Sequence, residues 1–185
     1  MSFGAGSILA LLIAGTVTSG MSVPLAPLQS GRGTVHYFHP PNVVLDLRLA
    51  SGTLNRIPLS YEEVGQQRKA EIWNATVLAE ESGHFLIFTD RFSSNANVQG
   101  ECGASDNSGT DGEWYLHVIR LTAPMRETFS LNINSCYRSL TTVRGYPKFD
   151  PVTHILVVKI VHDETSLISI SRYLIGTDGS VEMIK

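Results

Sequence analysis

The stretch from Gln99 to Leu121, QGECGASDNSGTDGEWYLHVIRL, holds the side chains best suited to chemistry in this chain. Hard oxygen ligands at alternate positions can bind calcium, and the first part of this stretch is spaced like the start of an EF-hand loop. The sixth loop position is an aspartate instead of glycine, and the twelfth is not a glutamate. We therefore favour a solvated turn over a weak calcium site. The side chains concerned are Asp106, Asn107, Ser108, Thr110, Asp111 and Glu113, of which Asp106, Asp111 and Glu113 are the weak calcium candidates.

The chain has two cysteines, Cys102 and Cys136. An even number of cysteines in an exported chain is typical of disulfide bonding, so we expect these two to pair; two unpaired buried thiols are the alternative. A bridge that closes a loop of roughly 35 residues would stabilise the fold by about 4 kcal/mol in the chain-entropy model. Zinc is not expected, because the chain has no CxxC pair to supply further ligands.

The six histidines form no recognisable catalytic or metal-binding motif. His36 and His39 precede two prolines, which argue against a helix that would bring both onto one face. His117 alternates with Tyr115 and Ile119, so a core or sheet-face histidine is favoured over a metal ligand. The chain also lacks HExxH, GxSxG, SxxK and phosphate-loop motifs. We therefore assign no catalytic residue and expect no metal and no cofactor.

The acidic loop, residues 103–113, is the best candidate for a functional surface, as a binding loop more than a catalytic one. Loops carried on a rigid sheet hold function more often than the sheet does. A bridge at Cys102 would lower the entropy cost of ordering the loop on binding. Three aromatic residues near the loop, Phe92, Trp114 and Tyr137, could anchor a partner. For Trp114 the alternative is that it is simply a core residue. The predicted partner-binding residues are Asp106, Asn107, Asp111, Glu113 and Trp114.

The N-terminus predicts export. Residues 7–17, SILALLIAGTV, form an apolar run of about the length of a signal-peptide core. Small residues follow, so cleavage is expected near Gly20, or as late as Ala26. No Lys or Arg precedes the run, and an uncleaved anchor or a buried N-terminal helix is the alternative. The run is shorter than the about 20 residues of a spanning helix. We expect a periplasmic or secreted protein with no stable membrane span after cleavage.

Length and charge limit the function classes. The 185 residues suggest one domain, and a formal net charge of −3 without a basic run argues against nucleic-acid binding. The predicted organisation is a signal peptide over residues 1–20 or 1–26, a flexible linker over 21–33, and a single β-rich domain over 34–185.

Hydrophobic periodicity predicts a mainly β protein, an antiparallel sandwich or a curled sheet. Phe129, Leu131 and Ile133 share one face of their strand, and the strand His154–Val161 is apolar enough to be central. The predicted strands are Asn42–Ala50, Trp73–Leu78, His84–Asp90, Trp114–Leu121, Thr128–Asn134, His154–Val161, Leu167–Ile175 and Val181–Ile184.

One segment favours a helix. Ser60–Ile72 begins with Ser60, and Glu63 three residues later completes a capping box. Gly65 weakens this helix by about 1 kcal/mol relative to alanine, so a twisted strand pair is the alternative.

The run HFLIFTDRFSS…GECGAS…GEWYLHVIRL…NINSCYRSL, followed by a paired-strand ending, resembles small exported bacterial proteins. These are periplasmic immunity proteins and lysozyme-inhibitor-like β proteins, and the resemblance covers Phe85–Lys185. It implies a small β fold and a protein that plugs the cleft of a cell-wall-degrading enzyme. The inhibitors' Ser-Gly-x-x-Tyr loop is not matched, since Ser30–Gly33 lacks the tyrosine, so the resemblance does not identify lysozyme as the target.

The leading hypothesis is therefore an exported, non-enzymatic binding protein, an inhibitor or immunity protein that blocks an envelope-directed effector through its acidic loop. An exported hydrolase with an unrecognised site is the alternative, and it predicts a histidine in a deep pocket near a carboxylate and a Ser or Cys. A structural envelope component is a third, and it predicts an exposed edge strand or apolar patch.

Overall fold

The structure is a computed structural model that describes residues 25–27, 33–37, 43–49, 52–61, 72–92, 113–135 and 138–185. These residues form thirteen β-strands and no helix, and every strand pair is antiparallel. The mainly β, antiparallel prediction is thus confirmed. Among the same residues no helix has the length and apolar character that a membrane crossing requires.

The first sheet has four strands in the order β1-β2-β3-β4. Strand β3, predicted from the alternation in NVVLDLRLA, has four buried side chains among its six residues. The strands are β1 Leu25–Pro27, β2 Gly33–Tyr37, β3 Val43–Arg48 and β4 Leu54–Pro58. The short strand β1 lies inside the stretch that was expected to be a flexible linker.

The central sheet also has four strands, in the order β5-β6-β7-β8. β5 and β6 form a hairpin, closed by a turn at residues 82–84. The strands are β5 Ile72–Glu81, β6 Phe85–Phe92, β7 Glu113–Arg120 and β8 Arg126–Asn134.

The third sheet has five strands, ordered β10-β11-β12-β13 with β9 beside β11. The strand expected to be central is β11, and it does pair with β9, β10 and β12 within this sheet. The strands are β9 Leu140–Thr142, β10 Lys148–Asp150, β11 Ile155–His162, β12 Leu167–Ile175 and β13 Val181–Ile184.

The three sheets form layers around two hydrophobic clusters. The first cluster joins the first and central sheets, with Leu45 and Ile57 packing in the same cluster as Phe88 and Ile119. The second joins the central and third sheets, with Ile87 and Val118 packing in the same cluster as Leu156 and Tyr173. The central sheet is therefore buried on both faces, which explains why β6 and β7 read as nearly continuous apolar runs.

Hydrogen bonds tie the central and third sheets together at two places. Thr128 donates its hydroxyl to the carbonyl of Gly179 at 2.6 Å. Beyond the end of β8, Ser135 and Leu140 exchange backbone hydrogen bonds of 2.9 Å. The third sheet is thus fixed to the end of β8 as well as through the core.

Two finer predictions fall mostly outside the described residues. Residues 62–71 of the expected helix lie there; Ser60 and Tyr61 have no regular secondary structure, and Ile72 begins β5. Cys102 and Cys136 lie there too, so their pairing stays a prediction.

Candidate functional site

Two of the five predicted partner-binding residues lie in the described part of the chain, and both are at the start of β7. Glu113 is buried, and its two carboxylate oxygens accept hydrogen bonds from Asn132 Nδ2 at 2.6 Å and Ser135 Oγ at 2.9 Å. The side chain therefore holds the start of β7 against the end of β8. The other three predicted residues, Asp106, Asn107 and Asp111, lie outside the described residues.

The calcium alternative receives no support from Glu113. Within the described ranges, no three His, Cys, Asp or Glu side chains are grouped so that they could hold a metal ion. The remaining calcium candidates, Asp106 and Asp111, belong to the part of the chain that is not described.

Trp114 is half-buried and packs against the second hydrophobic cluster. The guanidinium carbon of Arg91, its cross-strand neighbour on β6, lies 3.9 Å from the centre of the Trp114 ring. Such stacking is a cation–π contact. Trp114 thus belongs to the core and also lines the mouth of a pocket between the central and third sheets.

A charged cluster that the sequence did not predict surrounds His117. The imidazole is fully buried on the first-sheet face of β7, and its ring stacks on Phe88 with centroids 4.8 Å apart. Its Nδ1 lies 2.6 Å from Glu127 Oε1, and its Nε2 lies 3.3 Å from Asp90 Oδ1. The contact with Asp90 is an ion pair whose angle falls short of a good hydrogen bond, since neither of those two atoms has a hydrogen-bonded partner.

The two carboxylates decide the charge of this histidine. Burial alone would lower the pKa of His117, but Asp90 and Glu127 together outweigh it and raise that pKa to about 9. The ring is therefore an imidazolium at neutral pH, and both of its nitrogens carry a proton.

Polar groups after β4 complete the cluster. The Tyr61 hydroxyl donates to Asp90 Oδ2, and the Ser60 amide donates to Glu127 Oε2 at 2.7 Å. Ser130, the cross-strand partner of His117, gives its hydroxyl to the Ser60 carbonyl at 2.6 Å. The cluster therefore fastens the end of the first sheet to the central sheet. Since the ring has no exposed surface, it cannot touch a substrate in this conformation.

His154 is the histidine that lies in an open pocket. Its Nε2 is 3.4 Å from Glu81 Oε2, and both side chains are partly exposed. The pocket has a volume of about 540 Å³, with Phe85 and Phe149 among its walls, and the described residues of its lining include no Ser or Cys. His154 has a positive φ of 55°, which a turn held by the Asp150 carboxylate explains.

Of the other histidines, His84 and His162 make single contacts, to the Thr177 carbonyl and the Ser169 hydroxyl. His36 lies on β2. His39 is outside the described residues.

Several exposed large hydrophobic residues of the described part of the chain lie on the outer face of the third sheet. Alternate residues of β11 and β12 pack into the second cluster, so the intervening ones face away from the core. Ile168, Ile170 and Leu174 are 59%, 51% and 40% exposed. Cross-strand pairing places Ile168 beside Val161 and Leu174 beside Ile155, both half-buried residues of β11. Ile170 is paired with Lys159. We call this surface the outer-face patch: Ile155, Val157, Val161, Ile168, Ile170 and Leu174.

Charged side chains are arranged in rows across the outer-face patch. Lys148 and Arg172 are the cross-strand neighbours of Val157 on either side. In the next row, Asp150 and Glu182 lie at opposite ends. Lys159, paired with Ile170, lies within the patch itself. The middle of the patch thus has cationic side chains in and beside it, and the carboxylates lie at its margins.

Comparisons with known proteins give no relative for this chain. No protein-family model, no curated protein and no solved structure matches it.

Proposed function

We propose that the protein is an exported binding protein that holds another protein, as an inhibitor or immunity protein directed at an envelope-targeting hydrolase would. The observation that carries the proposal is the outer-face patch. A structural envelope component would also have such a patch, and inhibition of a captured hydrolase separates the two hypotheses. Large aliphatic side chains at more than a third exposure, next to one another on one strand, are unusual unless a partner covers them.

The histidine environments favour a binder over the alternative hydrolase. His117 has carboxylate partners and a raised pKa, but it is sealed in the core and serves the packing of two sheets. His154 is accessible and has a carboxylate neighbour, but none of the described residues that line its pocket is a Ser or Cys that could act as a nucleophile.

The charges on the patch indicate the chemistry of the partner. Lys148 and Arg172 flank Val157, so a complementary surface would place an acidic side chain near the middle of an apolar area. Acidic groups at the margin, Asp150 and Glu182, would meet basic side chains at the rim. The occupant that fits is a folded protein with an apolar surface containing one or more carboxylates.

The acidic loop would be a second contact surface. Its C-terminal end is fixed by the buried hydrogen bonds of Glu113, which is the way rigid sheets hold binding loops. We further propose that Cys102 and Cys136 form a disulfide, since Cys136 directly follows Ser135 of the same hydrogen-bonded group. Intact-mass analysis after alkylation with and without reductant tests the bridge: no alkylation before reduction supports it, and two alkylated thiols before reduction contradict it.

The test compares partner binding and inhibition by three versions of the full chain, each expressed in bacteria and exported to the cell envelope. These are the wild type, the Ile168→Asp/Ile170→Asp variant, and the control Leu54→Asp. Leu54 is also exposed, at 54%, but lies on β4 of the first sheet. A protein captured by the wild type is then purified, and its hydrolytic activity is measured with each version added.

The expected result is a defined complex with the wild type and Leu54→Asp, with loss of the partner's hydrolytic activity. The double variant should neither bind nor inhibit, because two carboxylates would face the partner's acidic group across an apolar surface. Equal inhibition by all three versions, or a partner whose activity does not change, would contradict the proposal.

A further inference from the structure

A pocket of about 230 Å³ opens between the central and third sheets, on the face opposite the His117 cluster. Its walls come from β5, β6 and the start of β7 on one side, and from Tyr146 and Pro147 ahead of β10 on the other. Sites for drug-sized ligands have about 300–1,000 Å³, so this one suits a smaller group.

Two hydrogen-bond donors in the pocket wall have no acceptor. Arg91 Nε and Trp114 Nε1 are both buried, and neither has a hydrogen-bond partner. Both groups can only donate, so an acceptor from outside is the one way to satisfy them. Buried donors in folded proteins are rarely left without a partner, and an unbound ligand is one explanation when they are.

Stacking holds the Arg91 guanidinium in position. Its carbon atom lies 3.9 Å from the centre of the Trp114 ring, an arrangement that supports the plane of the guanidinium while leaving its edge free for hydrogen bonds. Partial burial lowers the pKa of Arg91 from its ordinary value, and the group stays charged at neutral pH.

No carboxylate in the described part of the chain pairs with Arg91. Asp90 lies in the pocket wall, but its carboxylate is directed to the other face of the sheet, toward His117 and Tyr61. The other side chains of the lining are uncharged: Thr76, Leu78, Thr89, Trp114, Tyr146 and Pro147. The described part of the lining therefore has one cationic side chain, and two donors without a partner lie enclosed behind its surface.

We propose that this pocket binds a carboxylate, and that the side chains enclosing Arg91 Nε and the Trp114 indole move apart on binding so that both groups donate hydrogen bonds to it. A planar carboxylate matches the fork of a guanidinium, and the small volume fits the end of a molecule better than its whole body. The carboxylate comes from a small organic acid or from the C-terminus of a peptide, which share this chemistry. The pocket is separate from the outer-face patch, so the inference holds or fails independently of the proposed function.

The test is two-dimensional ¹⁵N–¹H NMR of the full chain, which reports both donors directly. The chain has two tryptophans, so Trp73→Phe identifies the indole signal of Trp114. The probes are propionate, N-acetyl-alanyl-alanine with a free carboxyl, the same dipeptide as its amide, and chloride at matched ionic strength.

A carboxylate ligand should move the Trp114 indole and Arg91 Nε signals in a saturable way. A response to propionate identifies a small-acid site, and a response to the free dipeptide alone identifies a peptide C-terminus. The amide and chloride should leave both signals in place. Arg91→Lys, which keeps the charge but loses the planar fork, should bind about tenfold more weakly.

Arg126→Gln is the matched control, because Arg126 is an exposed arginine on β8 outside the pocket lining, and it should bind like the wild type. The inference is overturned if neither carboxylate moves the two signals, if the amide or chloride moves them equally, or if Arg91→Lys binds as tightly as the wild type. The wild-type signals decide the question even if Arg91→Lys folds poorly.

Discussion

The stability of this protein should fall as the pH rises above neutrality, because of His117. The imidazolium is fully buried and paired with Asp90 on β6 and Glu127 on β8, while the Tyr61 hydroxyl faces Asp90 from the segment after β4. With Tyr115, whose ring stacks on the imidazole, these are the titratable groups that surround His117 in the described residues.

The size of the effect follows from the two pKa values of His117. That pKa is raised to about 9 in the folded state from the ordinary 6.5. Because the folded-state pKa is the higher one, the contribution to stability is complete below about pH 6.5 and is lost as the pH rises through about 9. At about 1.4 kcal/mol per pH unit, the free energy of unfolding should fall by about 3 kcal/mol across this range.

The assay is urea unfolding at a series of pH values from about 6 to about 10, with the wild type and Asp90→Asn/Glu127→Gln. In the double variant only burial acts on His117, so the folded-state pKa of His117 drops below the ordinary value. The pH dependence of the free energy of unfolding therefore reverses. That variant should lose stability as the pH falls below about 6.5. The control is Glu81→Gln, which removes the carboxylate beside the partly exposed His154 and should keep the wild-type slope.

Two results would refute this reasoning. One is a wild-type free energy of unfolding that is constant or rises between neutral pH and about pH 9. The other is a double variant whose pH dependence follows that of the wild type, since the carboxylates would then not set the charge of His117.

Three further substitutions test the packing. Glu113→Ala leaves the Asn132 amide and the Ser135 hydroxyl without their acceptor. The free energy of unfolding, measured in urea, should fall by about 1–3 kcal/mol. Glu182→Ala, on the exposed surface, is the control and should leave that free energy nearly unchanged. Gly179→Ala should destabilise the protein more than Gly83→Ala. Both glycines have a positive φ, 75° and 77°, but a Cβ at position 179 would lie 3.0 Å from Arg120 Cα, whereas position 83 is in open space. Equal losses of stability would contradict the close approach at Gly179. Phe88→Ala should cost about 3–5 kcal/mol and Ile170→Ala less than about 0.5 kcal/mol in the isolated protein; a large loss at Ile170 would mean that the patch is buried.

Strand positions could be predicted because local periodicity decides them. The alternation in NVVLDLRLA and in TFSLNIN follows the burial of one face, and β3 and β8 occur where those runs lie. Val181–Ile184 agrees with β13 at both ends, as expected for a strand that follows a tight turn at Asp178–Gly179. The arrangement in three layers was not predicted, because a run such as FLIF identifies a buried strand without showing which sheets cover it.

The His117 cluster could be predicted only in part. His117 was placed correctly on the face of Tyr115 and Ile119. Asp90 could have been found, because it continues the alternation of Leu86 and Phe88 on β6.

Glu127 could not have been found from periodicity. Strict alternation puts Glu127 on the face of Phe129, toward the third sheet. A shift in the register of β7 and β8, between Val118 and Ile119, pairs Glu127 with Ile119 and so brings it to His117. Such a bulge depends on long-range pairing and leaves no clear mark in the sequence.

The most direct test of the proposed partner surface is site-specific photocrosslinking in the bacterial envelope. A photoreactive amino acid replaces Ile170 on the outer-face patch or, as the matched control, Leu54 on the first sheet; both positions are exposed. The account predicts that one defined envelope-directed hydrolase is crosslinked from position 170 and not from position 54, and that the purified protein inhibits it. No crosslinked hydrolase at position 170, or the same product from both positions, would contradict the account.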